Sequence, residues 1–137
     1  MDFNIKMMAD DLILQLFEKA KQKQLLDEDF ISFLESVFPD KSSDVIEVVK
    51  RGITKYICKP SNRIVWTAMG SNQEHLIYPR LYCSCQDFYK SVVIQGKRKF
   101  CKHLLAQVIS EGFKEYKVVS LEDSKFKDIV KDLKLKI

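Results

Sequence analysis

Apolar residues recur at helical spacing through the first third of the chain and at strand spacing through its middle. Over residues 8–22, Leu12, Leu16, Phe17 and Ala20 form a stripe that Ile13 widens, which predicts an amphipathic helix. Asp10 and Asp11 then fall in its first turn, where carboxylates favour the helix dipole. Phe30, Ile31, Phe33, Leu34 and Val37 predict a second helix over 27–37, with Asp27, Glu28 and Asp29 at its start and Pro39 closing it. Val45, Ile46, Val48 and Val49 predict a third over 44–50, and Asp44 followed by Glu47 resembles a capping box.

Gly52 breaks the helical pattern. Residues 53–58 and 63–69 predict the two strands of a hairpin, joined by a turn at Lys59-Pro60-Ser61-Asn62. After a second turn at Gly70-Ser71-Asn72, residues 75–82 predict a third strand leading directly into Cys83, with Pro79 marking an edge or a bend. Helical spacing resumes near Cys101 with Leu104, Leu105, Val108 and Ile109, and Gly112 is the expected stop. A last amphipathic segment begins near Ser120 and carries Leu121, Phe126, Ile129, Val130 and Leu133. The class is α+β: an N-terminal helical region (1–50), a hairpin and metal-motif region with a small antiparallel sheet of three strands (51–112), and a C-terminal amphipathic helix (113–137). At 137 residues these form one compact domain.

The longest apolar runs are far short of a membrane span, and Met1 to Lys6 carry no basic cluster leading into a long apolar stretch. The expectation is an intracellular protein without membrane association. In a reducing compartment, four cysteines are free, metal-bound or catalytic rather than paired.

Cys83-Ser84-Cys85 is followed, after fifteen residues, by Cys101-Lys102-His103. A disulfide across the single residue between Cys83 and Cys85 would be strained, whereas a shared ion would not. Three thiolates and one imidazole suit one tetrahedral zinc ion and leave no open position, which is the pattern of a structural site. The metal would close the intervening loop and fix Phe88, Tyr89 and Phe100. Three other readings compete. Iron–sulfur clusters favour four thiolates, against His103. A Cys101 nucleophile with His103 as its base leaves the Cys-X-Cys pair unexplained. The four could also be unrelated core residues. Cys58 is expected to be a small core hydrophobe, and His75 a surface residue rather than a fifth ligand.

Charge is uneven. Residues 1–50 hold six basic against eleven acidic side chains, and residues 51–137 hold seventeen against eight. The basic half either meets an anion, nucleic acid foremost, or is simply a solvated surface. Lys90, Lys97, Arg98, Lys99 and Lys102 flank the metal motif with Phe88, Tyr89 and Phe100 among them. Cations beside exposed rings could hold single-stranded DNA. Equally, the cations could offset a site charge of about −1 and the rings could be the core around the metal. Leu12, Leu16, Phe17, Phe30, Phe33 and Leu34 are candidates for partner docking, with core packing as the alternative.

The Cys-X-Cys, loop, Cys-X-His pattern followed by Leu104-Leu105-Ala106 resembles the SWIM zinc-binding domain over about residues 53–110. With a helical N-terminal third and a terminal motif in so short a chain, the layout resembles the small SWIM-domain subunit of the Shu complex, a homologous-recombination mediator. The resemblance implies a non-enzymatic nuclear adaptor. It would bind a RecA-like recombinase paralogue and assist recombinase filaments on single-stranded DNA, touching the DNA directly or through that partner. Gly52, Gly70, Gly96 and Gly112 are scattered and no Gly-Lys-Ser/Thr occurs, so ATP chemistry would belong to the partner. The alternative is an autonomous nucleic-acid-binding zinc module derived from a transposase-like protein.

Overall fold

The computed structural model describes residues 2–133, with side chains from Asp11 onward. Three helices come first: α1 (Asp2–Lys23), α2 (Glu28–Val37) and α3 (Ser42–Arg51). Because α1 begins at Asp2, Asp10 and Asp11 lie inside the helix rather than in its first turn, and the dipole argument does not apply to them. The Asp10 side chain lies outside the described residues. Asp27 caps α2, its carboxylate accepting the Phe30 N–H at 2.8 Å. The expected capping box of α3 is absent. Lys41 occupies the cap position, while Asp44 lies within the first turn at 3.9 Å from the Lys41 ammonium and Glu47 pairs with Arg51 one turn on.

Strands β1 (Ile53–Lys59) and β2 (Arg63–Met69) form the expected hairpin, with Tyr56 opposite Val65. The third predicted strand is two. β3 (Glu74–Tyr78) turns through Pro79, Arg80 and Leu81, with Arg80 at a φ of 65°, into the short β4 (Tyr82–Cys83). Cys83 thereby pairs with Ile77. After a π-helical turn (Phe88–Ile94), α4 (Lys102–Phe113) runs back under the sheet. β5 (Lys117–Glu122) then joins the outer edge of β1 in parallel, Thr54 facing Lys117. The sheet therefore has five strands in the order β4-β3-β2-β1-β5 and is mixed, where three antiparallel strands were expected. The predicted final helix loses its start to β5: Val118, Val119 and Ser120 extend along the open edge of β1, and α5 begins only at Phe126 (Phe126–Leu133).

One sheet face contributes Ile53, Trp66, Ala68, Ile77 and Cys83 to a core shared with α1 to α4. The other buries Cys58, Val65 and Leu76. There Asp123 accepts the Ser61 N–H and hydroxyl at 3.0 and 2.6 Å, and Arg63 lies over the Phe126 ring of α5. Gly112 does not end α4. Helix continues to Phe113, and Lys114, in left-handed conformation, stops it. A Cβ at Gly112 would lie 2.6 Å from that of Ala20, so glycine is needed where α1 and α4 touch. Among the described residues no helix is long and apolar enough to cross a membrane.

Candidate metal centre

Two chain segments deliver the four donors in pairs. Cys83 ends β4 and Cys85 follows the buried Ser84. The Ser84 backbone N–H donates to the Leu76 carbonyl at 3.0 Å, and its hydroxyl accepts the Leu76 N–H at 2.8 Å, so the Cys-X-Cys pair is fixed to β3. Cys101 is the N-cap of α4, with no side-chain capping bond, and His103 lies in the first turn. Leu104 and Leu105 behind them are fully buried, which anchors the second pair in the core.

The four donor atoms lie within 4.8 Å of one another, and all four residues are buried. His103 Nδ1 is 4.0 Å from Cys101 Sγ. A tetrahedron with arms of about 2.3 Å has edges of about 3.8 Å, so a small inward movement would place all four on one ion. Three sulfurs and one imidazole are the donor set of a closed structural zinc site, and this geometry could hold such an ion. The described residues hold this one cluster of donors of that kind.

Proton affinities at the site are divided. Hydrogen bonds with Cys101, then Cys83, draw the Cys85 thiol far below its ordinary range, helped by the Phe88 N–H at 3.3 Å. The Cys83 thiol is pushed up, first by its hydrogen bond to Cys101 and then by that to Cys85; burial is the main cause that raises Cys101. Burial and the mutual interaction of the sulfurs thus favour one thiolate and oppose ionisation of the other two. A divalent cation removes the repulsion, so binding would release protons as all three sulfurs become thiolates. The start of α4 assists: the Leu104 N–H favours the Cys101 thiolate.

His75 is not the surface residue expected. It is half-buried on β3, with its ring tilted against His103 at 4.6 Å between centroids. Burial lowers its pKa, with His103 adding to the effect. Its ring packs against that of His103 from the sheet side. Sequence spacing gave no signal of this, because the pairing of β3 with β4 creates the neighbourhood.

Phe88 and Phe100 are buried in the core cluster and Tyr89 is half-buried. The proposed stacking surface for nucleic acid therefore lacks two of its three rings, which pack around the metal site instead. Of the cations, Lys90 and Lys97 are exposed, while Arg98, Lys99 and Lys102 are half-buried. Arg98 pairs with Asp87 at 3.3 Å and lies over the Phe38 ring. The candidate docking residues divide too. Leu16, Phe30 and Leu34 are wholly buried and belong to the core, so they offer no free surface. Leu12, Phe17 and Phe33 are half-buried. Cys58 is buried as expected.

No family model matches the chain, and no solved structure matches it. Curated relatives do. The chain is 29% identical over 119 residues to the "Zinc finger SWIM domain-containing protein 7 homolog" of Dictyostelium discoideum, covering 85% of this chain and 76% of that protein. It is 25% identical over 126 residues to the "Zinc finger SWIM domain-containing protein 7" of Homo sapiens, covering 89% of each. The Mus musculus protein of the same name is also 25% identical over 126 residues, covering 89% of this chain and 82% of that one. Over most of its length, and not only across the paired Cys/His motif, the chain is similar to the SWIM-type zinc finger proteins.

Proposed function

We propose that this chain is a non-enzymatic adaptor, built around one zinc ion held by Cys83, Cys85, Cys101 and His103. It binds a RecA-like recombinase paralogue and promotes recombinase filament assembly on single-stranded DNA during homologous-recombination repair in the nucleus. The observation that carries the reading is the buried cluster of three thiols and one imidazole, in a chain similar along most of its length to SWIM domain-containing relatives. Four protein donors fill a tetrahedral ion's coordination, so the metal supports the fold and offers substrate no position. The layout resembles the small SWIM subunit of the Shu complex, and this supports the choice of partner. The autonomous DNA-binding module is less favoured, since burial of Phe88 and Phe100 removes two of the three rings it would stack on.

The test is a tagged pull-down from the protein's own cells, beside a Cys83→Ser, Cys101→Ser variant. The expected result is a RecA-like paralogue with the wild type and none with the variant. A folded, well-expressed wild type that repeatedly recovers no such paralogue, yet binds single-stranded DNA tightly alone, would replace the adaptor with the DNA-binding module.

A further inference from the structure

His75 sits beside the four donors without being one of them. We infer that it is a positioning residue of the metal centre: its ring braces the His103 imidazole against the sheet, and its Nδ1 serves the donor set as a hydrogen-bonding group. The inference rests on the four-donor zinc reading and adds to it a residue that is not a ligand.

His75 joins the two segments that carry the donors. On one side it belongs to β3, where it pairs with Ala68 of β2. The next residue, Leu76, exchanges two hydrogen bonds with Ser84, which lies between Cys83 and Cys85. His75 and the first donor pair therefore belong to one hydrogen-bonded unit. On the other side its ring is 4.6 Å from that of His103, tilted by 52°, and His103 lies in the first turn of α4 behind Cys101. A donor whose ring is braced before the ion arrives loses less entropy on binding it.

The ring is also confined. Its Nε2 and Cδ2 face Gly70, where a Cβ would come within 2.5 and 2.8 Å of them. Gly70 donates its N–H to the Gln73 carbonyl at 2.8 Å, which fixes the turn ahead of β3. Nδ1 is on the other edge of the ring, buried, with no hydrogen-bond partner among the described residues. A buried nitrogen without a partner is a cost that a phenyl ring in the same space would avoid, so packing alone does not account for histidine here. The donor set does. After burial, the influences on the ring's charge are His103, Cys85 and Lys102, so two of the four donor residues lie within its electrostatic reach. Sulfurs that become thiolates around an ion are stabilised by nearby N–H groups, and a neutral imidazole has one N–H to give.

The test compares the full wild-type chain with His75→Ala and His75→Phe. Zinc affinity is read by competition with a chromogenic chelator, and site geometry by the visible d–d bands of the cobalt(II)-loaded protein. In His75→Ala, zinc affinity should fall about 10–100-fold, the usual effect of losing a residue that supports a ligand, and the cobalt bands should shift because His103 is no longer held. His75→Phe should restore the wild-type bands, since a ring again faces His103, yet bind zinc several-fold more weakly than wild type, since Nδ1 is gone. Wild-type affinity in His75→Ala would overturn the inference. So would weaker binding with unchanged cobalt bands, the mark of general loosening, or a His75→Phe variant that shares the shifted bands of His75→Ala. A His75→Phe variant equal to wild type in both readouts would reduce His75 to packing and overturn it as well. Each of these results leaves the four-donor site standing. A folded wild type that takes up neither ion would instead remove that site, and the inference with it.

Discussion

The helical core and the loop between the two donor pairs are held together by different physics. In the core, carbon packs on carbon: Leu16, Ala20, Phe30, Leu34, Leu105 and Ile109 are wholly buried, and the Phe30 and Phe113 rings meet at 5.3 Å. Residues 86–100 contribute Phe88 and Phe100 to that core, but Val93 and Ile94 stand 59% and 62% exposed. The rest is fixed by polar contacts. Phe88 N–H donates to Cys85 sulfur, Ser91 hydroxyl donates to Asp87 at 3.0 Å, and Arg98 pairs with the same carboxylate. A seven-residue π-helical turn is too short to present a long apolar stripe, so an ion on the four donors would do for the loop what burial does for the helices. The two regions should therefore fail in different ways.

The largest effect is expected from Cys101→Ser. Structural zinc in small domains is worth about 10–16 kcal/mol of apparent binding free energy, so its loss should cost several kcal/mol here and expose residues 84–100 to rapid amide exchange. The amides of α1 should stay protected. Exchange that rises equally in both regions would erase the comparison. Next is Leu16→Ala, expected to cost about 2–5 kcal/mol in denaturant unfolding while one metal ion per chain is retained. Loss of metal in that variant would mean that the core and the loop are one unit.

Gly112→Ala sharpens the core side. Alanine favours an isolated helix by about 1 kcal/mol over glycine, but here its Cβ would meet Ala20 at 2.6 Å. We expect a net loss of about 1–3 kcal/mol, read from the same unfolding curves. The smallest effect is Asp27→Ala, which removes the cap of α2. The Phe30 N–H holds the Asp27 pKa below its ordinary 3.8, with Lys23 assisting. Its stabilising contribution is therefore present above that value and lost as pH falls through the lower folded value. The difference between wild type and Asp27→Ala should shrink on acidification, measured by thermal melts in a pH series.

The sequence made the donors readable because their chemistry is local. Cys-X-Cys after a strand and Cys-X-His at a helix start are close pairs, and only their meeting requires the fold. Helices α1 to α4 and the β1–β2 hairpin were readable for the same reason, through periodicity and turn residues. What escaped depends on distant partners. β5 is a strand because β1 has an open edge more than fifty residues earlier in the chain, and the order of Val118 to Leu121 also fits the start of an amphipathic helix. His75 was read as surface because its neighbour His103 arrives only through the β3–β4 turn and α4. The rings of Phe88 and Phe100 looked available because lysines flank them in sequence, whereas the structure buries both rings, leaves Lys90 and Lys97 exposed and half-buries Lys99 and Lys102.

The central claim is that four residues hold one ion that closes the loop. Metal analysis of the purified full chain, combined with X-ray absorption at the zinc edge, tests it most directly. The account predicts one zinc per chain, bound by three sulfurs at about 2.3 Å and one nitrogen at about 2.0 Å, and absent from Cys101→Ser. A folded chain that contains no metal, or zinc that survives Cys83→Ser combined with Cys101→Ser, would contradict it.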